Sequence, residues 1–335
     1  MKTDWIPKLG LLAALIGGAP VAAETICAAT ADLAADGCKN AVQEDYLIAS
    51  GKCLNVSATA ARNRCLDAAV GARRMDLRLC RKQQLARFSI CNALREDRYD
   101  PNVSPALFDD DLAHLTRPNR YFPLAAGDRW EWAGAESVVV EVLDRAKLIA
   151  GVRCFVVRDT VSADGTVVED TEDWFAQARN GDTYYFGEES KDYEIFEGDE
   201  PPTPELITLE GSFKAGRGGD KPGIAFLAAP RKGKVYRQEF SLGNAEDIAE
   251  VVSTTYGYGR DAELDRLVPR QLAELLCAGD CVVTKEYQPL APGVFERKFY
   301  APGIGGFLVI HLDSGEVVQL VGCNVDPRCA ALPAP

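Results

Sequence analysis

Six cysteines near the start of the chain are spaced as a mirror image. They lie at residues 27, 38, 53, 65, 80 and 91, so the gaps between them read 11, 15, 12, 15 and 11. If two antiparallel helices fold about a turn near residues 54–58, the first and last cysteines lie at the same height along the hairpin. The second and fifth cysteines then also lie level with each other, as do the third and fourth. Of the fifteen ways to pair six cysteines, only the nested one has this symmetry. The spacing therefore predicts a helical hairpin over residues 24–98 with the disulfides Cys27–Cys91, Cys38–Cys80 and Cys53–Cys65.

The residues before this hairpin have the composition of a secretory signal. Lys2 and Lys8 flank a short polar start, an apolar run over Leu9–Ile16 follows, and small residues continue as far as Ala23. We expect residues 1–23 to be a signal peptide that is cleaved between Ala23 and Glu24, so that the chain is periplasmic or secreted, where disulfides persist. The apolar run is shorter than the ~20 residues that cross a bilayer, and we therefore expect no transmembrane anchor.

Charge is unevenly divided between the hairpin and the rest of the chain. Residues 27–98 hold twelve Lys and Arg against eight Asp and Glu, a net charge of +4, whereas residues 99–335 carry −17. So acidic a region disfavours nucleic acid as a partner. The basic residues of the hairpin are typical of a solvated helical face. The alternative is a surface that binds a protein partner or a second copy of the chain, formed by Arg73, Arg74, Arg78 and Arg81.

The pattern after the hairpin is that of a β-rich body. Residues 99–127 are rich in Pro, Asp and Asn, which predicts a linker with one short helix at Pro105–His114. Over residues 128–325, short alternating runs are separated by turns, which predicts a mainly antiparallel, curved sheet. The predicted fold class is therefore α+β, with a disulfide-stapled antiparallel helical hairpin followed by an antiparallel β domain.

Two segments of this body interrupt the strand pattern. Gly211–Lys234 is dense in Gly, Lys and Arg and is predicted to be a long loop, which could act as a lid. Asp261–Leu276 has leucines at helical spacing, which predicts a helical insertion that is bent at Pro269 or starts there. Residues 326–335 are predicted to form a C-terminal tail.

Five cysteines lie in the body. Cys277 and Cys281 follow the predicted helix, and Cys323 and Cys329 lie near the end of the chain. Local bridges, Cys277–Cys281 and Cys323–Cys329, or two crossed ones satisfy all four residues, and we favour the local pairs. Cys154 is then left over, and its apolar neighbours predict a buried, inert free thiol.

Several motifs of the body can be compared with known families. They are Asn119 with Tyr121–Leu124, Gly127 and Trp130; the stretch Asp173–Glu188; Lys221–Gly223; Tyr236–Glu239; and Phe299–Gly305. Together they resemble an uncharacterised family of exported bacterial proteins over most of residues 99–325, with Ala262–Cys281 as an insertion. The closing Tyr-Ala-Pro-Gly-Ile-Gly motif is also similar to TapB-like envelope proteins, whose sheets resemble the curved LolA type. The resemblance implies export and a curved sheet, and it implies no particular activity.

The sequence contains none of the motifs of serine hydrolases, zinc peptidases or nucleotide-binding enzymes. Aromatic residues concentrate at strand ends, where they either pack in a core or line a concave site for an apolar or glycan-like ligand. The aromatic candidates are Trp130, Trp174, Tyr184, Tyr185 and Tyr300. Acidic residues form a second set, with Asp173, Glu188 and Glu239 as candidates. These acids form a solvated face, bind Ca²⁺ through oxygen ligands, or act as an acid/base pair. Apart from Ca²⁺, no cofactor or metal is predicted.

Three functions are compatible with these features. We favour a non-catalytic module that binds an unknown ligand on the face of the sheet, because aromatic residues cluster and catalytic motifs are missing. The alternative is a hydrolase that depends on the acidic candidates. The second alternative is a structural envelope protein that binds its partner through the hairpin.

Overall fold

The computed structural model describes residues 25–335, and the predicted signal peptide lies outside them. Two helices come first, α1 (Ile26–Leu54) and α2 (Thr59–Leu94), and they form an antiparallel hairpin. A large antiparallel, nearly closed curved sheet follows, interrupted by the short helix α3 (Arg270–Leu276). The predicted α+β class is therefore confirmed. Within residues 25–335, no helix has the length and apolarity needed to span a membrane.

The hairpin is held by the three nested disulfides that the cysteine spacing predicts. Their Cα atoms lie 5.8, 5.7 and 5.5 Å apart, from the outer to the inner pair. Most buried side chains between the helices are small, such as Ala31 and Ala35 on α1 and Ala69 on α2. Small residues let the two backbones approach closely, so that each cysteine reaches its partner. The hairpin therefore has covalent links where most folds have a core of large side chains.

Sixteen strands make up the body in the described part of the chain. In chain order they are β1 Arg129–Ala133, β2 Ser137–Ile149, β3 Val152–Ala163, β4 Thr166–Gln177, β5 Thr183–Glu189, β6 Asp192–Glu194, β7 Glu205–Thr208, β8 Phe213–Lys214, β9 Lys221–Phe226, β10 Val235–Arg237, β11 Glu239–Phe240, β12 Ile248–Gly257, β13 Ala278–Tyr287, β14 Glu296–Ala301, β15 Gly305–His311 and β16 Val317–Cys323. All pairings are antiparallel, and thirteen strands follow the order β10-β12-β13-β14-β15-β16-β1-β2-β3-β4-β5-β9-β11. The other three lie beside this path, with β6 paired to β4 and β7, and β8 paired to β5.

The first and last strands of this order, β10 and β11, belong to one continuous segment of the chain. β10 pairs with β12, while β11, two residues further on, pairs with β9 at the opposite end of the sheet. At the crossing, Gly223 of β9 lies so close to the partner backbone that a Cβ atom there would be 2.0 Å from the carbonyl oxygen of Gln238. Only glycine allows this approach.

β9 lies within the segment that the sequence predicts to be a long loop. The prediction for Gly211–Lys234 is wrong over that part, because Lys221–Phe226 is a paired strand of the sheet. The prediction took the glycines of this segment as a sign of turns. Gly223, however, lies within a strand and allows a close approach of two backbones. A segment fixed between two strands is also unsuited to act as a lid.

One of two smaller predictions is confirmed and the other needs correction. Of the two forms expected for the helical insertion, the structure has the one that starts at Pro269, since α3 begins at Arg270 and residues 261–268 are mostly turns. In the predicted linker, the short helix covers only Pro105–Leu107. The linker packs against the sheet, since Phe108 is buried and bridges to Ala178.

The hairpin joins the body through buried ion pairs. Arg87 of α2 donates three hydrogen bonds to the carboxylate of Glu246, the shortest with 2.6 Å between Nη2 and Oε1. Both side chains are almost fully buried. Arg237 of β10 forms a second ion pair with Glu96, which follows α2. The segment that closes the sheet therefore also anchors the hairpin.

Candidate functional site

The concave face of the sheet contains a cavity of about 470 Å³ that is open on one side. Volumes of roughly 300–1,000 Å³ are typical of sites for small ligands. Most of its wall is apolar, and the polar part consists of Asp159, Asp173, Glu296, Lys298 and His311. The apolar residues that line it include Phe122, Leu124, Trp130, Trp132, Val138, Val140, Val157, Phe175, Tyr300, Ile304, Val309 and Val318.

Two of the aromatic candidates lie in this wall, Trp130 and Tyr300. Trp130 is fixed by its indole N–H, which donates to the carbonyl oxygen of Ile304 at 2.8 Å. That bond joins two of the motifs that carry the family resemblance. Tyr185 lies directly behind the wall, stacked on Phe175 with 4.8 Å between ring centroids.

The other two aromatic candidates are on the opposite face of the sheet. Trp174 is 1% exposed and packs in a separate core with Phe108 and Phe186, and Lys147 lies over its ring at 3.6 Å. Tyr184 packs edge-on against Phe108 in the same core. Neighbouring residues of a strand point to opposite faces, so Trp174 and Tyr184 are separated from the cavity, whereas Phe175 and Tyr185 are on its side.

The three acidic candidates lie close together on the concave side. Asp173 of β4 is directly opposite Glu188 of β5 in the register. The hydroxyl of Tyr185 donates a hydrogen bond to Asp173. Glu239 is near both carboxyls, since burial and then the charges of Asp247, Glu188 and Asp173 raise its pKa well above the usual range.

Burial and mutual repulsion raise the pKa of the other carboxyls too. Burial raises the pKa of Asp159 to about 8, and the nearby Asp173 and Glu169 add to the shift. Burial likewise raises the pKa of Glu188 to about 8. The pKa of Asp173 rises to about 7, because the hydrogen bond from Tyr185 offsets part of the burial effect. At neutral pH these carboxyls therefore retain protons to a degree that surface carboxyls do not.

A second polar group lies across the cavity on β13–β15. Lys298 Nζ contacts Glu286 at 2.9 Å and Glu296 at 3.1 Å, and His311 Nδ1 lies 3.3 Å from Glu296. Glu286 also accepts hydrogen bonds from the hydroxyls of Thr284 and Tyr300. Burial lowers the pKa of Lys298, but Glu286 and Glu296 outweigh this and hold it well above the usual range. Lys298 is therefore charged, and two carboxylates neutralise it.

Sequence reasoning missed several of these residues. Lys298 and Glu296 are two and four residues before Tyr300 in one strand, so strand alternation places all three on one face. Asp159 follows the apolar Val157 by two residues and was identifiable in the same way. A charged residue in a strand is ordinarily solvated, which is why alternation alone did not select them.

The remaining candidates do not contribute to the cavity. Cys154 is buried on the opposite face, and burial raises the pKa of its thiol to about 12, so it is protonated and unreactive. The bridges Cys277–Cys281 and Cys323–Cys329 are the local pairs favoured above. Across residues 25–335, no group of three or more His, Cys, Asp or Glu side chains is arranged to hold a metal ion. The exposed arginines of α2 lie on the hairpin, and Arg73 stacks over the ring of Tyr46.

Comparisons of the chain with models of protein families, with curated proteins and with solved structures found no match.

Proposed function

We propose that this protein binds an amphipathic or glycan-like ligand in the cavity of its concave face and has no catalytic role. The observation that carries the proposal is an open cavity of about 470 Å³ with a mainly apolar wall and one polar strip, in which Asp159 and Asp173 face Glu296, Lys298 and His311. Trp132 and Phe175 offer flat apolar surface to a ligand, and the polar strip fixes its orientation. The five disulfides fit an extracellular or periplasmic protein.

Strand alternation supplies a matched pair of variants for the test. Val138 lines the cavity, whereas Val139 points to the other face, and both side chains are half-buried. Val138→Lys should abolish the fluorescence enhancement of the apolar probe N-phenyl-1-naphthylamine, because it places a charge in the apolar wall. Val139→Lys should leave it intact. Equal enhancement in both variants, or none with the unmodified protein, would contradict the proposal.

The compartment and the family belong to the same proposal. Export through cleavage between Ala23 and Glu24, and membership of the exported family that the motifs resemble, both fit a ligand-binding role outside the cytoplasm. Native mass spectrometry of the protein from its host's exported fraction tests this. The expected mass is that of a chain whose first residue is Glu24, less ten hydrogen atoms for the five disulfides and plus the mass of any retained ligand. A mass that corresponds to a chain starting at Met1 would contradict export by cleavage.

A carboxylate-dependent hydrolase is the second candidate. It is favoured by the register pairing of Asp173 with Glu188 and by pKa values of about 7 and 8, which suit proton donation near neutral pH. If a glycoside or ester screen gives turnover, Asp173→Asn and Glu188→Gln should each reduce kcat at least a hundredfold. Turnover that persists in both variants would remove these residues from any catalytic role.

A further inference from the structure

We propose that the cavity selects an amphipathic ligand with a cationic head group, such as a long-chain amine or quaternary ammonium. This inference rests on the proposed function, and it adds the charge of the ligand. The geometry behind it is the arrangement of ionisable side chains around the cavity. Three carboxyl groups line the wall, Asp159, Asp173 and Glu296, against one lysine and one histidine.

The basic side chains of the wall are already paired with carboxyl groups of the protein. Lys298 contacts both Glu286 and Glu296, and the ring of His311 faces Glu296. An anionic head group would therefore have to displace these carboxylates, and at pH 8 it would also meet the ionised forms of Asp159 and Asp173 as it entered. The cost of that arrangement disfavours fatty acids and phosphates.

The carboxyls on the opposite wall lack such partners. Among residues 25–335, Asp159 Oδ1 is buried and accepts no hydrogen bond, and no cationic side chain bonds to Asp173, whose Oδ1 accepts from the Tyr185 hydroxyl. An unpaired buried acceptor carries a free-energy cost. A cation or a strong hydrogen-bond donor from a ligand relieves that cost. These two carboxyls therefore form the acceptor side of the polar strip.

The apolar wall next to this strip also suits a cation. Phe175 follows Asp173 by two residues on the same face of β4, and Trp132 and Tyr300 lie in the same wall. Aromatic faces attract ammonium groups, and the attraction is strongest where water is excluded. The alkyl chain of the ligand then packs against the valines of β2, so that one cavity satisfies both parts of an amphiphile.

Protonation gives the proposal a pH signature. Without ligand, Asp159 and Asp173 hold protons up to pH values of about 8 and about 7. A bound cation favours their ionised form and lowers both pKa values. Binding therefore releases protons, and the affinity rises as the pH increases from 6 to 8. The titratable groups next to this pair are Glu169 of β4, Tyr185 and Glu188 of β5, and Glu239 of β11. Across the cavity lie Glu296, Lys298 and Tyr300 of β14 and His311 of β15, and Glu286 of β13 and Asp247 are close to Lys298.

The experiment compares three probes with the same twelve-carbon tail, dodecyltrimethylammonium, dodecyl maltoside and dodecanoate. Each is titrated below its critical micelle concentration by calorimetry into the full chain at pH 6 and pH 8. We expect dodecyltrimethylammonium to bind at least tenfold more tightly than the other two at pH 8, and to release protons in buffers of different ionisation enthalpy. Equal affinities, or a preference for dodecanoate, would overturn the inference.

Variants locate the effect. Asp159→Asn and Asp173→Asn should each reduce the preference for the ammonium probe about tenfold. Glu172→Gln is the control, since this neighbour of Asp173 faces the other side of the sheet and pairs with Arg145. A preference that survives in both Asn variants would overturn the inference. If a variant fails to fold, the pH dependence and proton release of the unmodified protein decide alone.

The failure of this inference is distinguishable from the failure of the proposed function. If all three probes bind with equal affinity and Val138→Lys blocks their binding, the cavity binds ligands but its affinity does not depend on the charge of the head group. If none binds, or if Val138→Lys has no effect, the cavity itself is not the binding site.

Discussion

The hairpin and the β body reach a defined structure by different means. In the hairpin, the buried residues are mainly cysteines and alanines, and large apolar residues such as Leu33 and Met75 are more than 60% exposed. In the body, large side chains such as Trp174, Tyr256 and Phe307 are almost fully buried. Disulfides lower the entropy of the unfolded chain, whereas the body depends on apolar burial and on backbone fit. A substitution therefore has different consequences in the two regions, and this difference is measurable.

The largest effect is expected at the crossing where the sheet closes. Gly223→Ala places a Cβ atom 2.0 Å from the Gln238 carbonyl oxygen, a contact that no side-chain movement relieves. We expect it to lower the free energy of unfolding by more than ~4 kcal/mol, a loss that few single substitutions produce. Urea unfolding followed by tryptophan fluorescence measures it. A loss below 1 kcal/mol would show that β9 and β11 do not approach as described.

The next effect concerns the joint between the two regions. Glu246→Ala leaves Arg87 buried without its partner, which typically costs ~3–5 kcal/mol. We expect residues 83–99 to exchange amide hydrogens faster, while the strands of the body remain protected. The control is the double variant Arg87→Met with Glu246→Leu, which removes both charges and should recover most of the loss. Unchanged exchange in Glu246→Ala would show that the ion pair does not hold the hairpin.

Within the hairpin, removal of one bridge tests the covalent contribution. The pair Cys38→Ser and Cys80→Ser should cost ~2–4 kcal/mol, as a single disulfide typically does. Residues 27–98 contain no tryptophan, so circular dichroism at 222 nm reports largely on the hairpin and tryptophan fluorescence on the body. We expect the dichroism transition to move to lower temperature and the fluorescence transition to stay. A joint shift would show that the two regions unfold as one unit.

The same contrast explains how far the sequence could predict the structure. Cysteine symmetry is a pairwise signal, so it predicted the bridges of the hairpin together with their partners. Strand patterns are local signals, and they did not reveal that Lys221–Phe226 is a strand, because the burial of Gly223 and Pro222 depends on a segment fifteen to seventeen residues further along the chain.

The site shows the same limit. Trp130 and Tyr300 were identified because aromatic residues concentrate at strand ends, and the structure places both in the cavity wall. Trp174 and Tyr184 were also among the aromatic candidates, although they lie on the other face. Strand alternation predicts which residues share a face of the sheet, but it does not predict which face is concave. That choice depends on the curvature of the whole sheet, which no local pattern contains.

The smallest effect should have the opposite sign to the first. Gly71 lies within α2, and a Cβ atom there would meet nothing within 4 Å. Alanine is favoured over glycine in a helix interior by about 0.8–1.0 kcal/mol, so Gly71→Ala should raise the thermal midpoint of the dichroism transition at 222 nm. It also controls for Gly223→Ala, since the chemical change is identical and only the surroundings differ. If Gly71→Ala instead destabilises the hairpin, that position is in contact with something, and the exposed face of α2 would then be an interface.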